Sequence, residues 1–314
     1  MRQKTIDPFL NFIHDSRSVG IILLVCTVSS LLLANSSLTK SYFSIINFEL
    51  PVNSFLHLPH TIIHCINDGL MAVFFFLAGM EIKREITTGE LSSLSKSILP
   101  IIAAIGGMVI PAFIYLLINK NTLYVHGWAI PMATDIAFSL GICALLGKRV
   151  PIGLKIFLTA LAIIDDLGAI ITIAIFYTAA IDWLYLGFAV LISAILYLLL
   201  RLNIFNYWNF ILGMLLWYCF LNSGIHATIA GVIFAFFIPA SRLNTIENYL
   251  HIPVNFLIIP LFALANTALI LPATITSVVN TSVSWGIFAG LVIGKPLGIS
   301  AATYFTVKFK WATL

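Results

Sequence analysis

Four charged residues stand inside long apolar stretches of this chain: Asp135, Asp165, Asp166 and Lys295. A charge at the centre of a bilayer costs at least ~2.5–3.5 kcal/mol on insertion scales, so four such positions point to a functional site rather than to packing. The residue types define the chemistry. A buried carboxylate binds either a proton or a hard cation, since desolvation favours the protonated form and a nearby cation the ionised one. A site of this kind that opens to each side of a membrane in turn exchanges protons for cations. Two acids can release two protons per bound cation. Ion binding should then fail at low pH, when protons win. Composition and spacing lead to cation/proton exchange without choosing the ion.

The local settings refine this. Asp165 and Asp166 are helix neighbours, so their side chains diverge by about 100° and can line one wide cavity without sharing a proton face to face. Ala162, Gly168, Ala169 and Thr172 beside Asp165 let another helix or a hydrated ion come close. Thr159 lies two turns before Asp166 on the same side. In the stretch Pro131-Met-Ala-Thr-Asp135, Pro131 removes a backbone donor and predicts a broken helix. Unpaired backbone at membrane depth is tolerated only inside protein or beside water. Thr134, Asp135 and freed carbonyls could there supply oxygens to a cation. Gly290, Gly294 and Gly298 make a smooth face for close helix packing. Lys295, beside that face, needs a carboxylate partner, and both Asp165 and Asp166 qualify.

The whole chain agrees with a membrane setting. Its 314 residues are 61% hydrophobic and 9% charged, with a mean hydropathy of +1.06. A soluble protein would be about one-quarter charged, so a soluble enzyme, a disordered chain and a nucleic-acid-binding module are excluded. Ten apolar segments are predicted: Val19–Ala34, Ile62–Met80, Ser97–Ile118, Ala129–Leu146, Ile152–Tyr177, Trp183–Leu200, Tyr207–Phe220, Gly224–Pro239, Val254–Leu271 and Trp285–Phe305. The seventh and eighth are short and nearly abut at Asn222-Ser223-Gly224. Alternate loops carry 13 Lys and Arg on one side, while only Lys40 and Lys120 fall on the other. That places both termini in the cytoplasm. The first apolar run reads as a span and not as a cleaved signal. Cys26, Cys65, Cys143 and Cys219 share no CxxC spacing and predict neither disulfide nor zinc. In the first outside loop, Ser36 to Pro59, the β-prone stretch Tyr42–Pro51 predicts a hairpin. The mixed charges of Glu81–Glu90 predict a solvated helix end, with a regulatory role equally open.

Five stretches together resemble the NhaA family of bacterial sodium/proton antiporters: Phe74–Glu85, Pro131–Phe138, Ala162–Gly168, Asn222–Gly231 and Gly294–Gly298. The resemblance runs from the first span to the end of the chain. It implies an all-α membrane protein, a polytopic helix bundle with the family's inverted repeat, and a single antiporter domain over residues 1–314. It also implies exchange of cytoplasmic Na+ or Li+ for external H+ across the bacterial inner membrane, for pH and sodium homeostasis, with no cofactor. Asp166 resembles the main sodium ligand. Asp165 resembles the proton carrier that pairs with the membrane lysine, here Lys295. Thr134 and Asp135 resemble broken-helix residues that support the ion and balance helix-end dipoles. Glu81 and Glu85, one turn apart, resemble the cytoplasmic entry and pH-response region, and His226 resembles a family histidine tied to pH response. A histidine suits a switch near neutral pH, and equally a hydrogen-bonded core position. The outer hairpin of the family joins two subunits, which implies a homodimer. The family has twelve spans and this chain stops after the tenth, leaving the second repeat incomplete. An inactive antiporter remnant is therefore one alternative. An intramembrane aspartyl protease using Asp135 and one of the pair is another, although its Gly-x-Gly-Asp signature is absent.

Overall fold

Runs this apolar enter a bilayer only as helices, because each backbone N–H and C=O must find its partner within the segment. The computed structural model describes residues 16–51, 57–134, 149–178, 181–272 and 274–312, and every regular element among them is helical. In chain order these are α1 (Ser16–Ala34), α2 (Thr39–Ile46), α3 (Ile62–Thr87), a single 3-10 turn (Glu90–Ser92), α4 (Leu94–Asn119), a 3-10 helix (Val125–Met132), α5 (Ile152–Phe176), α6 (Trp183–Arg201), α7 (Tyr207–Asn222), α8 (Ile229–Phe236), α9 (Ala240–Asn266), α10 (Ile275–Val279) and α11 (Ser282–Lys308). Among the described residues six helices are long and apolar enough to cross a membrane: α3, α4, α5, α6, α9 and α11. Three of them carry a π-helical turn, at Cys65–Leu70, Val254–Ile258 and Ala289–Gly294. Caps fix several starts. The Asp182 carboxylate accepts the Leu184 N–H at 2.9 Å to open α6, and Asn206 and Asn209 form a reciprocal capping box at α7.

The chain divides into two compact units. The first comprises Met1–Arg84 and Tyr177–Ile270. Within it α3 and α8 approach so closely that no Cβ fits at their crossing. A Cβ on Gly231 would lie 2.1 Å from the Ala72 carbonyl oxygen, and one on Gly79 2.8 Å from the Ala235 Cβ. Phe76 stacks on Phe234 beside this crossing, centroids 5.0 Å apart. Lys83 donates to the carbonyl oxygens of Phe236, at 2.8 Å, and Ile238, so an ammonium caps the carboxyl end of α8. Asn67 in α3 and Asn266 at the end of α9 exchange side-chain amide hydrogen bonds of 3.1 and 2.7 Å. The tight turn expected at Asn222-Ser223-Gly224 is present: Ser223 ends α7 and Gly224 takes φ +83°, a conformation glycine adopts without strain.

The outer segment corrects the expectation of a hairpin. Tyr42–Ile46 belongs to helix α2, and among the described residues strand-like pairing is one antiparallel bridge, Glu49 with Thr61. The reason is a four-residue spacing. Tyr42 and Ile46 must face the same way: Tyr42 donates its hydroxyl to the Leu264 carbonyl at 2.7 Å, while Ile46 packs with Ile66 and Ala265. A helix sets positions i and i+4 on one face about 6 Å apart, within reach of the adjacent residues Leu264 and Ala265, whereas a strand would set them about 13 Å apart. The ninth apolar segment also starts earlier than its hydropathy suggests, because polar Ala240–Pro253 continues into it as one helix through the π-helical turn.

The second unit comprises Glu85–Phe176 and Leu271–Leu314. Helix α4 is its axis, with α11, α5 and the 3-10 helix packed around it. The α4–α11 crossing is again glycine on glycine: a Cβ on Gly298 would lie 2.1 Å from the Gly106 carbonyl oxygen. Ala103, Ala104 and Leu161 form a buried cluster with Met108, Phe157, Ile164 and Ile299 around it. At the other end of α4, fully buried Asn119 donates to the Ser282 carbonyl at 3.1 Å and holds the start of α11. The break anticipated at Pro131 is observed. The 3-10 helix ends at Met132, and Ala133 turns extended with ψ 144°. Residues 135–146 of the fourth expected span lie outside the described residues.

The two crossings make a prediction. Gly231→Val should lower stability by about 1–3 kcal/mol, the usual range for overpacking, and so depress the thermal midpoint in detergent. Gly20→Ala, where nothing lies within 4 Å of the added Cβ, should leave it unchanged or slightly raised. Equal midpoints for the two variants would refute the tight crossing.

Candidate functional site

The second unit gathers three of the residues singled out by type and spacing. Asp165 lies near the middle of α5, Lys295 directly follows the π-helical turn of α11, and Thr134 sits on the extended backbone just after the 3-10 helix. Lys295 Nζ donates to Asp165 Oδ2 at 2.7 Å. The Thr134 hydroxyl donates to the same oxygen. Lys295 also donates to the carbonyl oxygen of Met132, the last residue of the 3-10 helix, so its charge faces the negative end of that helix. The pair is deep: Asp165 is 3% exposed and Lys295 8%. Buried charges persist only when paired and hydrogen-bonded, and each member of this pair has a second polar partner.

One oxygen of the pair differs. Asp165 Oδ1 is buried and accepts no hydrogen bond among the described residues. A carboxylate oxygen seldom stays so, because an orphaned buried acceptor keeps its full desolvation cost. Oδ1 therefore suits a proton or a hard cation. The choice left open between the two aspartates is settled: Asp165 is the partner of Lys295. Asp166 follows on α5, half-buried. Asp135 lies outside the described residues.

A family profile described as Na+/H+ antiporter 1 matches residues 10–314. The chain belongs to that family. It is 48% identical over 304 residues to the Na(+)/H(+) antiporter NhaA of Cytophaga hutchinsonii, an alignment covering 95% of this chain and 77% of the relative. It is 47% identical over 326 residues to the Na(+)/H(+) antiporter NhaA 1 of Clostridium beijerinckii, covering 100% and 82%. With the Na(+)/H(+) antiporter NhaA of Mesorhizobium japonicum it shares 43% over 328 residues, covering 100% and 81%. The protein is thus a multi-pass membrane member of an antiporter family.

The remaining residues anticipated for this family member divide between the two units. Glu81 belongs to the first unit, where its Oε1 stands 3.4 Å from His251 Nε2. Glu85 belongs to the second, its carbonyl accepting the Gly89 N–H at 3.2 Å. His226, between α7 and α8, is exposed, which removes the reading of a core histidine. The charged end of α3 is not merely solvated. Lys83 caps α8, Glu81 meets His251, and Arg84 pairs with Glu247. Glu247 and His251 were missed by sequence reasoning, although Glu247 is 2% exposed. Both lie on α9 in a polar stretch that reads as an ordinary surface loop, and Glu247 is 163 residues from Arg84. The one available signal was their four-residue spacing, which puts both on one helix face.

Glu247 is buried but the Arg84 side chain is 38% exposed, so removing Arg84 should cost less than the about 3–5 kcal/mol of a fully buried pair, and replacing both by apolar groups should be close to neutral. Arg84→Met should therefore clearly lower the thermal midpoint, and Arg84→Met with Glu247→Met should recover most of the loss. A double variant as unstable as the single one would assign the cost to packing instead of to an uncompensated carboxylate.

Proposed function

We propose that the chain is a secondary transporter that exchanges cytoplasmic Na+, or Li+, for external H+ across the bacterial inner membrane, with Asp165 and Asp166 as the exchanging groups. The observation that carries this reading is the divided state of Asp165. Its Oδ2 is held by Lys295 and Thr134, while its buried Oδ1 has no partner among the described residues. Family membership and the names of the relatives support the choice of ions.

The mechanism follows from competition. Lys295 and Thr134 hold Asp165 in one orientation, so the free oxygen is presented in a fixed place. Na+ is a hard cation that takes oxygen ligands. Asp166 adds a second carboxylate, and Asp135 and the freed backbone of the broken span supply further oxygens. A proton on either carboxyl withdraws a ligand from the ion, and a bound ion expels the proton. A site that faces the cytoplasm when it takes Na+, and the outside when it takes H+, converts the proton gradient into sodium extrusion. This serves pH and sodium homeostasis. The charge distribution of the loops supports a topology with both termini in the cytoplasm.

Glu81, Glu85 and His226 are assigned to pH response. For Glu81 the support is its neighbour His251, whose Nε2 stands 3.4 Å from the Glu81 carboxylate. A homodimer through the outer segment is part of the same reading, supported by Ile45 and Phe48, which are exposed there.

Inside-out vesicles from bacteria lacking their own sodium antiporters test this. With respiration setting the pH gradient, added NaCl or LiCl should dissipate it, and Asp166→Asn should abolish the response at equal membrane levels. Thr134→Val removes a hydrogen bond to a charged group, worth about 1.5–3 kcal/mol. It should raise the apparent KM for Na+ about tenfold, with Thr134→Ser close to the intact chain. Sodium-dependent flux that survives Asp166→Asn would sink the assignment.

A further inference from the structure

Helix α11 carries glycine at positions 286, 290, 294 and 298, and all four lie against α4 or the 3-10 helix. An added Cβ would meet Asn119 Nδ2 at 2.4 Å from Gly286, Pro131 Cβ at 2.7 Å from Gly290, Pro111 Cα at 3.0 Å from Gly294 and the Gly106 carbonyl at 2.1 Å from Gly298. An unbroken α-helix could not do this. It turns about 100° per residue, so each four-residue step overshoots a full turn by about 40° and three steps by about 120°. Gly298 would then point well away from the face that Gly286 occupies.

The π-helical turn Ala289–Gly294 removes the discrepancy. The Lys295 N–H bonds to the Gly290 carbonyl, five residues back. Such a turn holds one residue more than an α-turn, which takes up about 100° of the excess and leaves about 20°. Lys295 follows the turn directly, one residue round from the glycine line, and points to Asp165 and Met132. We propose that this π-helical turn is the positioning device of Lys295. It keeps the glycine line on α4 through residues spaced four apart and so sets the ammonium on Asp165. The residue it accommodates in excess is on the exposed side, where Val292 is 55% exposed. This rests on the reading that Asp165 and Lys295 serve exchange.

Two deletions separate the device from general helix integrity. Each removes one exposed apolar residue of α11, since Leu297 is 58% exposed. Deleting Val292 leaves glycine spacings of four, three and four, which an ordinary α-helix brings onto one face to within about 20°. Lys295 stays beside Gly294 and stays on Asp165. Deleting Leu297 lets the same π-turn relax between Gly290 and Gly298, but carries Lys295 about 100° around the helix. In the vesicle assay, the Val292 deletion should keep the pH profile of the intact chain and an apparent KM for Na+ close to its value. The Leu297 deletion should exchange about 10–100-fold more slowly, the scale of a misplaced group. It should match Lys295→Gln in pH profile, and adding Lys295→Gln to it should change nothing. Loss of exchange in the Val292 deletion, its absence from the membrane, or normal exchange in the Leu297 deletion would each overturn the proposal. If the Leu297 deletion does not insert, the test is whether the Val292 deletion follows the intact chain or Lys295→Gln. Should the intact chain show no sodium response, the exchange reading fails on its own, and thermal midpoints still decide this one: Lys295→Gln must lower the midpoint of the Val292 deletion as it lowers that of the intact protein.

Discussion

A carboxylate and an ammonium in hydrocarbon hold their charges only while each satisfies the other, and the second unit is organised around that condition. The attraction between Asp165 and Lys295 does not repay desolvation unless the remaining lone pairs and protons find partners as well. Lys295 meets the requirement through the Met132 carbonyl and Asp165 Oδ2 through the Thr134 hydroxyl. Both helpers come from the end of the 3-10 helix and the extended backbone that follows it. An intact helix there would bond its carbonyls internally and have none to offer. The proline break is therefore a source of polar groups at depth, and its irregular backbone is tolerated because those groups are taken up by the pair.

Such a pair requires helices that approach more closely than ordinary side chains allow, and glycine provides this in both units. In the second, the meeting of Gly106 with Gly298 brings α11 against α4. In the first, Gly231 and Gly79 do the same for α8 and α3. Each unit also uses a lysine on the carbonyl end of a short helix: Lys295 on Met132, and Lys83 on Phe236 and Ile238. Short helices in a bilayer protein expose end carbonyls that water does not reach, and a cation is an effective partner for them. The repeated use of one physical remedy suits a chain in which only 9% of residues are charged.

Much of this was legible in the sequence because the bilayer makes composition informative. A charge amid apolar residues cannot be incidental, so Asp165, Asp166 and Lys295 stand out without any structure. Pro131 gave the break and the glycines of α11 the close face. What stayed hidden depended on distance or on context. Which aspartate meets Lys295 is a matter of helix phase, and the π-helical turn that sets this phase has no local sequence mark. Glu247 sits in a polar stretch, where an acid is unremarkable until Arg84 is seen against it. The outer segment misled for the opposite reason: β-branched and aromatic residues suggested strands, but two tertiary contacts at i and i+4 drew Tyr42 and Ile46 into a helix.

The division of Asp165 into one engaged and one unpartnered oxygen also bears on why exchange would be obligatory. If both oxygens were free, a proton could sit on one while an ion bound the other, and the two fluxes would uncouple. With Oδ2 already accepting from an ammonium and a hydroxyl, the proposed exchange places the competition on Asp165 at Oδ1, beside the competition on Asp166. Proton and cation then exclude one another at the same atom, where both need the same lone pairs. Coupling of this kind needs no signal between distant sites. It needs only that Lys295 and Thr134 stay in place while access alternates, which is the task of the close-packed helices that carry them.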